Sequence, residues 1–257
     1  MVERRNWSRD ETLVAFRLYC YTPFGKLHKH NPDILRLAAA LGRTASAVGM
    51  KACNFASLDP IHASRGVRGL RNRSQLEDDI WRQFEQDSEA VAAEAEAAYE
   101  RLVGAAADES GAAMEDKVSD ADADARGARG DTPRLTEAAR GADAAPAGPT
   151  EVDRTVRARR VQSFFRSAVL TSYGGRCALT GLAVSSLLNA SHIIPWAAAP
   201  ARRADPTNGL CLNVLHDRAF DRGLMTFDDT FRAVVSPCIG EEDGLVARAR
   251  GMTGGAG

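Results

Sequence analysis

The apolar positions of this chain change their spacing twice, and the changes divide it. Ser8, with Glu11 three positions later, has the form of a capping box, and Leu13, Val14, Phe16, Leu18 and Tyr19 follow at helical spacing until Thr22-Pro23 interrupts them. The pattern predicts a helix there. A second is predicted from Pro32, with Asn31 as cap, through Ile34, Leu35, Leu37, Ala38 and Leu41 to a stop at Gly42, and a third over 43–55 with Thr44 as cap. Ser74, Leu76, Ile80, Trp81 and Phe84 predict a further helix that runs on through an Ala/Glu-rich stretch to Leu102. From about Gly104 to Pro149 large apolar side chains almost vanish, so the segment cannot repay its ordering entropy and reads as a disordered acidic linker. Beyond it, Val152–Tyr173 reads as an amphipathic helix with Val156, Val161, Phe164, Phe165, Val169 and Leu170 inward. The spacing then shortens. Cys177–Leu182 reads as a strand or knuckle turning at Gly181, Leu187–Pro195 as a strand that Pro195 ends, His216 as the start of a helix, and 224–236 as a closing hairpin.

Composition sharpens this division. The chain has 257 residues, 44% hydrophobic and 26% charged, the profile of a water-soluble protein with room for two small folded parts. No apolar run approaches the roughly 18 residues of a membrane span, and no secretory signal is visible, so a cytoplasmic protein without a membrane partner is expected. The net charge of −1 hides an asymmetry. Residues 1–75 carry 13 basic and 5 acidic side chains, residues 76–150 carry 7 and 19, and residues 151–257 carry 13 and 10. Basic ends suggest a polyanionic partner. Cys20, Cys53, Cys177, Cys211 and Cys238 include no C-x-x-C pair, which disfavours a disulfide framework or a four-cysteine zinc site.

In the amino-terminal part, two helices meeting at Gly42 have the look of a helix-turn-helix unit. Arg43, Thr44, Ser46, Lys51 and Asn54 would then face DNA, and the glycine-punctuated stretch with Arg65, Arg68, Arg71 and Arg73 would follow its backbone. The alternative is a small helical bundle in which these polar residues are only solvated.

The densest chemistry lies in Ala190–Gly223. His192 ends the predicted strand, Asn208 stands 16 residues later in an Asn-Gly turn, and His216 follows 8 residues further on. With Cys177-Ala178-Leu179-Thr180-Gly181 before the first His and Ala219-Phe220-Asp221 after the last, the segment 160–237 resembles the ββα-metal hairpin of HNH endonucleases. The fold expected is α+β, with an amino-terminal all-α helix-turn-helix-like domain over 1–103, the linker over 104–150, a carboxy-terminal ββα-metal domain over 151–240 and a flexible tail over 241–257.

The resemblance implies a DNA phosphodiester hydrolase. His192 would be the general base, Asn208 would brace the loop that orients it, and His216 would hold a divalent ion (Mg²⁺, Mn²⁺, Ni²⁺ or Zn²⁺) with Asp217 or Asp221 as helpers. Arg218 and Arg222, one helical turn apart, would clamp phosphate. Cutting both strands would suit a homodimer. A separate reader joined to a cutter is similar to bacterial restriction enzymes, including those specific for modified DNA. Two positions depart from the family: Ser191, where a metal-binding Asp or His is common, and Phe220, where many members carry another His. These departures favour a second reading, an inactive HNH fold serving as a DNA-binding or regulatory protein.

Overall fold

The computed structural model describes residues 5–64, 73–104 and 151–239. The expected linker (apart from Gly104), the tail, and Arg65, Arg68 and Arg71 lie outside them. The described architecture is α+β: helices first, then two short antiparallel hairpins with a helix packed on the first.

Helix α1 (Arg9–Tyr21) opens on the expected capping box, with the Ser8 N–H donating to the Glu11 carboxylate at 2.9 Å and Ser8 Oγ accepting from Glu11 N. Around it pack α2 (Pro32–Ala40), α3 (Ala45–Ala56), the short α4 (Pro60–Ser64), α5 (Gln75–Gln86) and α6 (Ser88–Tyr99). Asn31 and Thr44 cap α2 and α3 as expected. Gly42, at φ 59°, closes α2 in a Schellman turn, with Arg43 N donating to Ala38 O and Gly42 N to Ala39 O. The run expected as one helix from Ser74 to Leu102 is broken at Asp87. Its side chain accepts from Ala90 N and restarts the helix, because a short carboxylate competes with the backbone for exposed N–H groups.

Phe16 is the centre of the bundle. Its ring lies 5.0 Å from Phe84, 5.2 Å from Phe55 and 6.0 Å from Phe164. Phe164 belongs to α7 (Glu151–Ser172), and this helix buries two stripes rather than one. Val161, Phe164 and Ala168 enter the bundle core, while Phe165 and Val169 enter a second core beneath the hairpin. The expected single inward face is thus split between two cores. Val156 stays 39% exposed.

The second core is built on β1 (Leu188–His192) and β2 (Gly209–Asn213), antiparallel with His192 opposite Gly209. Helix α8 (Val214–Asp221) leaves β2 directly, so β1, β2 and α8 form a ββα unit, followed by the hairpin of β3 (Met225–Phe227) and β4 (Ala233–Val235). Gly209 lets α7 approach closely. A Cβ there would meet Val169 Cγ2 at 2.3 Å and Phe165 Cζ at 2.9 Å. Among the described residues no helix is long and apolar enough to cross a membrane.

Candidate active site

His192 sits at the last position of β1, half-buried, with its ring stacked on Phe165 at 3.7 Å and nearly parallel. Trp196 stands perpendicular to the His192 ring, with ring centres 5.6 Å apart. Nε2 lies 2.9 Å from the carbonyl oxygen of Arg203. A carbonyl can only accept, so Nε2 carries the proton and Nδ1 carries the lone pair. Burial lowers the imidazole pKa below its ordinary value, against the opposing pull of the Arg203 carbonyl and the Asp221 charge. The neutral, proton-accepting form is therefore favoured at neutral pH.

Asn208 is 2% exposed and closes the loop that leaves β1. Its side-chain oxygen accepts from Ile194 N at 2.8 Å, and its amide donates to Ile194 O at 3.2 Å and Arg202 O at 3.4 Å. Every polar atom of this side chain grips backbone on one or the other arm of the loop. Its chemistry is that of a brace, with no surface left for substrate.

Helix α8 starts at Val214, earlier than the expected His216, because Asn213 caps it by accepting from Leu215 N at 3.1 Å and His216 N at 2.9 Å. That cap was missed, although an Asn before an apolar-polar alternation is a readable signal. His216 and Asp217 are adjacent and point apart. His216 is buried with Nδ1 3.8 Å from Cys177 Sγ, against the knuckle that Cys177 N closes on Leu182 O. Burial alone would raise the Cys177 thiol, but hydrogen bonds from Thr180, Leu179 and Asn213 outweigh it and hold it below the ordinary thiol value. Asp217 turns instead to β1, accepting from Ser191 Oγ at 2.5 Å and Asn189 Nδ2 at 2.8 Å. Asn189 had not been singled out, and its role becomes visible only once strand alternation puts it on the same face as Ser191.

Among the described residues no group of three or more His, Cys, Asp or Glu side chains converges as a metal cage. Asp217 and the exposed Asp221 stand one turn apart on α8, on the side of β1. Carboxylate oxygens are the donor chemistry of a hard cation such as Mg²⁺ or Mn²⁺, which keeps few protein ligands and is completed by water and substrate phosphate. His216, the other metal-ligand candidate on this helix, has its Nδ1 edge toward the Cys177 sulfur.

The residues expected to read DNA are distributed otherwise. Lys51 points into the bundle, where its ammonium meets the Glu77 carboxylate at 2.8 Å with side chains only 6% and 0% exposed, and Asn54 donates to the same carboxylate at 2.7 Å. Arg43 binds Glu11 at 2.8 Å and lies over the Trp7 ring at 4.1 Å. These three are structural ties rather than solvated or DNA-facing groups. A single buried carboxylate on a neighbouring helix recruits each cation inward. Thr44 and Ser46 remain exposed, Thr44 with its hydroxyl on Ala47 N. Arg73 pairs with Asp78 at 2.6 Å. Arg218 and Arg222 are exposed on α8, beside the hairpin. Arg202 and Arg203 of the loop are tied to Asp205 and Glu89.

Comparison with known proteins bears on this geometry at one point. No curated protein and no solved structure matches the chain. Residues 177–228, which run from the knuckle through β1, β2 and α8 into β3 and just past it, match the family described as HNH endonuclease. This stretch of the chain is an HNH domain.

Proposed function

We propose that the chain is a metal-dependent DNA endonuclease in which His192 Nδ1 is the general base. The observation that carries this reading is the 2.9 Å contact from His192 Nε2 to the Arg203 carbonyl, which leaves a neutral imidazole with its lone pair on the other nitrogen. Nδ1 accepts a proton from water, the hydroxide oxygen forms a bond to phosphorus, and the bond from phosphorus to the 3′ oxygen breaks as that oxygen takes a proton from solvent. Asn208 keeps the loop and hence the carbonyl in place. Asp217 and Asp221 would hold a divalent ion, which supplies charge stabilisation at the phosphate. Arg218 and Arg222 supply phosphate contacts from the exposed side of α8.

The test is plasmid cleavage in Mg²⁺, Mn²⁺ or Ni²⁺, with His192→Ala as comparison. Loss of a general base lowers the rate by about 10²- to 10⁴-fold, and undiminished cleavage by the variant refutes the assignment. Accumulation of nicked rather than linear product distinguishes one cut from two. A role in restriction, and a preference for modified DNA, rests on the analogy of a separate reader joined to a cutter; cleavage of the same plasmid with and without cytosine modification tests it.

The second reading, an inactive HNH fold that binds DNA or regulates, is favoured by one observation. Asp217 already satisfies Ser191 and Asn189, so one carboxylate is held within the protein. DNA binding without cleavage in any of the three metals would establish it.

A further inference from the structure

The Arg203 carbonyl that fixes the His192 tautomer lies on a loop, and the loop is held from outside the HNH segment. Ser88, the first residue of α6, is 1% exposed and uses both halves of its hydroxyl on this loop. Its Oγ–H donates to Ala201 O at 2.9 Å, and its oxygen accepts from Ala204 N at 3.0 Å. The two contacts bracket Arg203 on either side. The neighbouring Glu89 accepts from Arg203 Nη1 at 2.8 Å. Arg203 in turn donates from Nε to Trp196 O at 2.9 Å and lies over the Trp196 ring, which stands perpendicular to the His192 imidazole. Ala204 is fully buried in the core of the helical bundle.

We propose that Ser88 and Glu89 are positioning residues for the base: the start of α6 holds backbone 201–204 so that the Arg203 carbonyl stays on His192 Nε2. This rests on the reading of His192 as the general base. An ordinary packing contact needs apolar cover, which Ala204 supplies. It does not need a buried serine that spends a donor and an acceptor on backbone at both ends of 201–204, nor a carboxylate aimed at the Arg203 side chain. If the carbonyl withdraws, nothing forces the proton onto Nε2, and in part of the population Nδ1 carries it instead and cannot act as base. The helical part of the chain would then set the activity of the hairpin by selecting a tautomer, without touching substrate.

The experiment uses the full chain and its Ser88→Ala, Ser88→Thr and Glu89→Ala variants. Long-range ¹H–¹⁵N spectra of the five histidines, with His192 assigned from the His192→Ala difference, report the tautomer without any cleavage assay. The expected result is an Nε2-protonated His192 in the unaltered protein, a shift toward Nδ1 protonation in Ser88→Ala and Glu89→Ala, and return in Ser88→Thr. Plasmid cleavage by the two alanine variants falls about ten- to a hundred-fold in kcat with KM unchanged. If Ser88→Ala does not fold, as read by circular dichroism, Glu89→Ala carries the test. An unchanged His192 tautomer in every folded alanine variant overturns the proposal whatever happens to cleavage. A shifted tautomer in a protein that cuts no DNA supports the positioning while removing the nuclease reading.

Discussion

At His192 burial and hydrogen bonding pull in opposite directions, and burial wins. Below its depressed pKa the imidazole is protonated and cannot accept a proton; above it the base is ready. Cleavage should therefore hold steady as pH falls through 7 and fail only below the ordinary imidazole value of about 6.5. Asp221 raises the imidazole pKa, so in metal-free protein the His192 titration followed by NMR should move to still lower pH in Asp221→Asn. An acid limb above 6.5 in cleavage, or a metal-free titration that moves upward in the variant, would contradict this. At the same scale, the resemblance to HNH endonucleases pointed to His192 and Asn208, and it could be read because a strand end and a turn are local features. What spacing could not supply was the partner of each. The acceptor for His192 is a backbone carbonyl, which leaves no trace in residue type, and Phe165 reaches the ring from a helix 27 positions upstream.

At the scale of the element, the hairpin works because α7 can press against it. Gly209 stands opposite His192 in the register, and the space its missing Cβ leaves is filled by Val169 and Phe165, the residue on which His192 stacks. Gly209→Ala should destabilise by about 1–3 kcal/mol through overpacking, read as a lower urea midpoint, and should slow cleavage by displacing Phe165. Val169→Ala in the same chain removes the 2.3 Å clash and should restore part of both, a coupling that a double-mutant cycle measures. Additive losses would mean that close approach is not the cause. Helix α3 gives the opposite lesson about sequence reading. Its boundaries, caps and apolar face could be read, but the direction of Lys51 could not, because the attraction comes from Glu77 on α5, 26 residues away. Burial alone would raise the Glu77 carboxyl; bonds from Lys51, Ser74 and Asn54 outweigh this and hold it below the usual carboxylate range. The stability this contributes is present above the unfolded pKa of about 4.3 and is lost as pH falls through the folded value. Lys51→Ala leaves the carboxylate buried without its cation and should cost about 3–5 kcal/mol in a denaturant titration. A loss below 1 kcal/mol would show that the pair is solvated after all.

At the scale of the molecule, contacts cross the boundary that composition drew near residues 103–151. Phe164 stacks on Phe16, Arg160 binds Glu100 at 2.5 Å, Thr171 Oγ1 donates to Tyr21 O at 3.2 Å, and Ser88 and Glu89 hold the hairpin loop. A charge map along the chain separates the two parts, yet one helix serves both, because α7 offers a different apolar stripe to each core. Two adjacent phenylalanines show the division: Phe164 belongs to the bundle and Phe165 to the hairpin. If the shared helix couples the cores, the described parts unfold together. Tryptophan fluorescence, which follows Trp7, Trp81 and Trp196 against the bundle core, should then give the same urea midpoint as the ring-proton NMR signals of His216, buried beside Cys177 in the hairpin core. Phe164→Ala removes a fully buried ring and should lower stability by about 3–5 kcal/mol, moving both probes by the same amount. Because the lost ring lies in the bundle while the base lies on the hairpin, a midpoint that shifts for one probe and not the other would show two independent units and would leave the hairpin's catalytic geometry indifferent to the helices.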